Sequence, residues 1–210
     1  MIVIENSHLR GSGVYNIGYM GNGKYKSCVN GVEQVSYSKW RDMFDRCYSD
    51  NKKSNTYKGC SVCEEWHNYQ NFAKWYEDNL WDKNFTFLDK DILIKGNKIY
   101  SEDNCILVNN RINTLFVKSN KARGDYPIGV SYDKSRNKFS AHCCTRVGDE
   151  SKRNRLFLGR FNTPSEAFNA YKQFKENYIK QVADEYKSKY PNFPQKLYDA
   201  MCKYEVEITD

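Results

Sequence analysis

The residues that decide the fold of the C-terminal half are Ile128-Gly-Val-Ser-Tyr132, Lys138-Phe-Ser-Ala-His-Cys143 and Arg155-Leu-Phe-Leu-Gly-Arg-Phe161, closed by Thr163-Pro-Ser-Glu166. Three short apolar and aromatic runs, separated by turns rich in Asp, Ser, Arg and Asn, predict three strands. Thr163, with Pro164 next and Glu166 three residues on, is the signature of a capped helix start. Ala167, Ala170, Tyr171, Phe174 and Tyr178 then recur at helical spacing. Three antiparallel strands and one packed helix make an α+β module. Alternation along the middle strand puts Phe139, Ala141 and Cys143 on one face and Lys138, Ser140 and His142 on the other.

Upstream, Phe87-Leu-Asp-Lys-Asp-Ile-Leu-Ile94, the turn at 95–98 and the run 99–108 read as a hairpin, and residues 110–116 as a short helix. Two amphipathic helices precede it. The first spans 38–48 with Ser38 as its cap and Trp40, Met43, Phe44 and Cys47 on one face; the second spans 66–80. Residues 13–18 and 24–29 read as strands joined by the Gly21-Asn-Gly23 turn, and a last helix is expected at 197–204. The expected organisation is an N-terminal β-rich segment (1–37), a central domain (38–117), a linker (118–125), the sheet module (126–180) and a helical tail (181–210).

Hydrophobic residues are 40% of the 210 and aromatics 15%, too many for a disordered chain. No apolar run approaches the ~20 residues a membrane helix needs, and Met1-Ile-Val-Ile4 is too short for a secretory leader. A cytoplasmic protein is expected. Between residues 118 and 160 eleven Lys and Arg face four Asp and Glu, an excess equal to the whole chain's +7. A basic block in an otherwise neutral chain is a footprint for a polyanion.

Eight cysteines without a leader predict reduced thiols. Cys60-Ser-Val-Cys63 has zinc-compatible spacing, and Cys47 and Cys105 are the thiols that would complete a closed site. Packed free thiols are the expected reading, and structural zinc the alternative.

Two resemblances rest on these residues. Gly129-Val130, Lys138-Phe-Ser-Ala141, Leu158-Gly-Arg-Phe161, Thr163, Glu166-Ala167 and Ala170-Tyr171 resemble the APETALA2/ethylene-response-factor DNA-binding domain, in which a three-stranded sheet enters the major groove. The resemblance implies double-stranded DNA as the partner. It places Ser131, Lys138, Ser140, His142, Arg155 and Phe157 at sheet positions that can face it, and the basic block supplies Arg136, Arg146, Lys152 and Arg153 as further expected DNA-holding cations.

Trp40, Met43, Arg46-Cys-Tyr48, Val62-Cys-Glu-Glu-Trp66, Phe72, Leu88-Asp-Lys-Asp-Ile-Leu93, Gly96-Asn-Lys98, Tyr100-Ser101, Asn104-Cys105 and Ile112-Asn113 resemble a phage-encoded HNH-endonuclease-like family. That implies a ββα unit and hydrolysis of DNA around one divalent ion, as in homing endonucleases. Lys90 stands where the family's general-base His would stand, Asn104 matches the middle Asn, and Asn109 or Asn113 occupies the position of the helix His. His8, His67 and His142 all lie outside the hairpin. The resemblance therefore leaves two expectations. In one, Lys90, Asp91 and Asn104 are catalytic, while Asp89, Asp91 and Asn113 hold Mg²⁺ or Mn²⁺ through oxygens. In the other, the unit is a scaffold, and the protein is a DNA-binding regulator or an inhibitor acting through a host protein.

Overall fold

A computed structural model describes residues 13–50, 57–83, 86–117, 125–146 and 152–208. The predicted linker lies outside them except for Asp125, as do His8 and the cations Lys118, Lys121 and Arg123. The chain is mixed α+β with small sheets, and its internal contacts divide it into two units, Met1–Val108 and Asn109–Asp210. Among the described residues no helix is long and apolar enough to cross a membrane.

The first unit is built on aromatic packing. Helix α1 (Val35–Tyr48) buries Trp40, Met43 and Phe44, and α2 (Tyr69–Asp78) buries Tyr69, Phe72, Ala73 and Tyr76, both at helical spacing. The Trp40 indole donates to the Trp66 carbonyl at 2.7 Å, so the ring enters the core with its polar edge satisfied. Helix α1 starts three residues before the expected Ser38; Gln34 precedes it, and the Ser38 amide donates to the Gln34 carbonyl. Helix α2 starts later than expected, after a 3-10 turn at Glu64–His67. Asn68 is its cap, because the Asn68 side chain accepts from the Gln70 amide.

The β-structure of this unit departs from the sequence reading twice. The N-terminal hairpin is not at Gly21–Gly23. It joins β1 (Cys28–Val29) to β2 (Val32–Glu33) through Asn30-Gly31, whose φ values of 50° and 79° are those of a two-residue hairpin turn. The expected hairpin 87–108 is also split. Strand β4 (Thr86–Asp89) stops at Asp89 and pairs with β6 (Ile106–Asn109). Between them β5 (Ile99–Tyr100) runs parallel to β3 (Ser61–Val62). Leu88, Tyr100, Cys105 and Leu107 enter the aromatic core, so burial, not the Gly96 turn, sets the pairing.

The second unit begins at Asn109, whose side chain caps α3 (Asn110–Leu115) by accepting from the Ile112 amide at 3.0 Å. Strands β7 (Val130–Asp133), β8 (Lys138–Thr145) and β9 (Asn154–Phe161) form an antiparallel sheet in sequence order. Helix α4 (Pro164–Lys189) packs across it and opens on the expected capping box: Thr163 accepts from the Glu166 amide and Glu166 from the Thr163 amide. It continues past residue 180, the expected end of the sheet module, as one helix, followed by α5 (Gln195–Cys202).

Candidate nucleic-acid interface

The register of the three-stranded sheet fixes which side chains share a face. Val130, Ala141 and Gly159 are opposite one another, as are Tyr132, Phe139 and Phe161. Ala141 and Cys143 are fully buried, and Val130 and Leu158 pack on the cluster formed with Phe168 and Tyr171 of α4. That is the helix-covered face. The other face carries Ser131, Ser140 and Arg160 in one row, Asp133 and Lys138 in the next, and His142 opposite Phe157 and Cys144 opposite Arg155.

A β-bulge makes this grouping possible. Between Ala141 and His142 the register shifts, so that Leu158 is the extra residue on β9, next to Gly159 at φ 138°. With unbroken alternation Arg160 would share its face with Leu158 and Leu156, opposite Phe157 and Arg155. The bulge turns Leu158 to the core and brings Arg155, Phe157 and Arg160 together.

Their geometry is close. The Arg160 guanidinium lies over the Phe157 ring at 4.8 Å, and the His142 ring is 5.4 Å from the same ring. Phe157 is nevertheless 51% exposed, an aromatic surface flanked by cations and left open. Burial pushes the His142 imidazole below its ordinary range, and the Arg155 and Arg160 charges push it further the same way. Asp133 organises one edge. It accepts from the Ser135 hydroxyl at 2.7 Å and from Arg136 and Arg160 at 3.3 Å each. Ser135 first, then Arg160 and Arg136, hold its carboxyl at about 2. Lys138 donates to Asn162.

The structure thus gathers Ser131, Lys138, Ser140, His142, Arg155 and Phe157 on one face, as the sequence led us to expect, and adds Arg160. Arg136 extends that face through Asp133. Arg146 and Arg153 instead line a cleft beside α3 and α4, and Lys152 is exposed just before β9.

In the first unit the residues of the nuclease expectation are held by one another. Lys90 is buried, and its ammonium donates to both Asp91 carboxylate oxygens at 2.9 and 2.8 Å and to the Asn97 carbonyl at 2.7 Å. An ammonium has three protons, and these contacts engage them. Asp89 accepts from the Asp91 and Ile92 amides at 2.8 Å, closing a tight turn; burial pushes its carboxyl up against the pull of those two donors. Asn97, which sequence reasoning did not single out as a site residue, is the hub. Its side chain donates to the carbonyls of Lys90 and Ile99 and accepts from the Ile99 amide, with Asn104 at 3.5 Å. Asn113 belongs to α3, in the other unit.

Cys60 and Cys105 are buried in the aromatic core, with Cys47 and Cys63 packed against it. Burial raises the thiols of Cys47 and Cys105 to about 12 and Cys63 to about 11. No group of three or more His, Cys, Asp or Glu among the described residues is disposed to hold a metal ion. No family model, curated protein or solved structure matches the chain.

Proposed function

We propose that the protein binds double-stranded DNA through the open face of the β7–β8–β9 sheet. The observation that carries this reading is the Arg155–Phe157–Arg160 row beside His142, an exposed ring between cations on a face that α4 leaves uncovered. Cations supply affinity by displacing counterions from phosphates, and a sheet of this width can enter a groove and meet base edges. Arg136 and Lys138 sit at the edge of the same face, where phosphates would flank it.

The test is a salt titration of duplex binding. Arg155→Ala with Arg160→Ala should lower affinity and flatten the log–log salt slope by about 2 units if each arginine meets one phosphate. An unchanged slope, or tighter binding to single strands than to duplex through stacking on Phe157, would overturn the duplex reading.

Cleavage is the second reading, and the half-exposed carboxylate of Asp91 is what favours it. Asp89 and Asp91 of the first unit would then supply oxygens to a divalent ion, with Asn104 as the catalytic amide. The contacts of Lys90 and Asp89 weigh towards a scaffold, since the Lys90 ammonium is turned to Asp91 and the Asn97 carbonyl and not to an open site. Nicking of duplex DNA that requires Mg²⁺ or Mn²⁺ and is lost in Asp91→Asn would establish the nuclease.

A further inference from the structure

A second basic feature of the Asn109–Asp210 unit lies apart from the row at Phe157. The C-terminal end of β8, the residues entering β9, α3 and the middle of α4 converge on a half-open cleft. Its walls include Arg111, Thr145, Arg146, Arg153, Lys175 and Tyr178. Among these cations Arg111 is already compensated: it forms a bidentate pair with Glu185 at 2.6 and 2.8 Å. No carboxylate among the described residues lies within ion-pair distance of Arg153 or Lys175.

The walls are built rather than incidental. The Tyr178 hydroxyl accepts from the Arg146 amide at 2.7 Å and donates to the Arg146 carbonyl at 2.9 Å, which fixes the chain where β8 ends. Arg111 also donates to that carbonyl at 3.4 Å. Thr145 is only 2% exposed, and its hydroxyl has no hydrogen-bond partner among the described residues. A buried hydroxyl left without a partner is costly, on the order of 1–3 kcal/mol. Burial and the neighbouring Arg153 charge push the Lys175 ammonium below its ordinary range, while Cys143 and Cys144 oppose this. Among the described residues, Arg153 and Lys175 bring positive charge without a carboxylate partner to the cleft, and the Thr145 hydroxyl, an unused donor, is buried in its wall.

We propose that this cleft binds one phosphate-class oxyanion, with Lys175 and Arg153 neutralising it and the Thr145 hydroxyl donating to it. A tetrahedral oxyanion offers several strong acceptors at once, which suits a mixed set of ammonium, guanidinium and hydroxyl donors. The group can come from a nucleic-acid backbone or from a free phosphomonoester. The cleft is independent of the Arg155–Phe157–Arg160 row, so it stands or falls separately from the duplex reading.

The experiment titrates the full chain with inorganic phosphate, against chloride at matched ionic strength, by calorimetry. Saturable binding near one per chain is expected. Lys175→Met should weaken it by about tenfold or more, as expected for loss of a charge-assisted bond. Thr145→Val keeps charge and shape and should weaken it severalfold, while Thr145→Ser should restore it; thermal melting of each variant checks folding. Arg155→Ala with Arg160→Ala should leave phosphate binding unchanged. The source is read from two further titrations. A nucleoside monophosphate competing with phosphate, with the duplex salt slope unchanged in Lys175→Met, assigns the cleft to a free phosphomonoester. A duplex slope flattened by about 1 unit in Lys175→Met assigns it to a backbone phosphate. No saturable phosphate binding, together with an unchanged duplex slope in both Lys175→Met and Thr145→Val, would overturn the proposal.

Discussion

His142 shows how a single side chain reports on its surroundings. In the free protein, burial and then Arg155 and Arg160 disfavour its protonated form, so its pKa lies below the ordinary value of about 6.5. DNA phosphates meeting those arginines would cancel part of their charge and raise the pKa in the complex. Binding would then take up protons as pH falls through the interval between the two values. Duplex affinity should therefore be higher at pH 5.5 than at pH 7.5, and His142→Gln should flatten that dependence. Fluorescence anisotropy at fixed ionic strength checks it; a pH-independent affinity in the unaltered chain would place His142 away from the phosphates. Folding alone carries the opposite sign. The depressed pKa contributes stability above about pH 6.5 that is lost as pH falls through the folded value.

At the level of elements, the loop between β4 and β5 is the clearest case of a structure made by side chains. Asn97 ties both sides of it through three hydrogen bonds to backbone groups. Asn97→Ala should therefore lower stability by about 0.5–1.5 kcal/mol, since one of these bonds is part-buried and the other two are exposed, where water replaces the lost partner. Urea unfolding reads this directly, and a change below about 0.5 kcal/mol would mean that Lys90 alone holds the loop. This loop was the least legible part of the sequence. Phe87 to Ile94 alternates plausibly as one strand, yet it breaks at Asp89, because the Asp89 side chain accepts from the Asp91 and Ile92 amides, which it could otherwise leave to a ladder. Asn30-Gly31 was legible in principle, as Asn-Gly is the strongest short hairpin signal, but Gly21-Asn-Gly23 is a competing turn signal just upstream. The capping box at Thr163, the strands of the second sheet and the buried stripes of α1 and α2 were readable because local chemistry and burial agree there. Arg160 was not, since no period-2 pattern shows where a bulge interrupts it.

For the whole molecule, the division of contacts between Val108 and Asn109 has a functional corollary. The second unit carries its own core, at Cys143, Phe168, Tyr171 and Val206, together with the basic sheet face and the cleft. Asn109 and Arg111 find their partners Tyr186 and Glu185 within it. Residues 109–210 expressed alone should fold cooperatively and retain the salt-sensitive affinity for duplex, as circular dichroism and anisotropy would report. Loss of affinity with folding intact would mean that the first unit also contributes to binding.

The extra residue in β9 makes this protein unequally tolerant of two kinds of genetic change. Replacing Leu158 by another apolar residue alters only the filling of the core. Deleting it yields a regular strand in which Arg155, Phe157 and Arg160 still fall on one side. Inserting one more residue between Phe157 and Arg160, with the bulge kept, leaves every charge intact and yet re-phases the strand, so that Arg155 and Phe157 point to one side and Arg160 to the other. Of two variants with identical net charge and nearly identical composition, the one lengthened by a single codon is the one that would lose the cation–aromatic row.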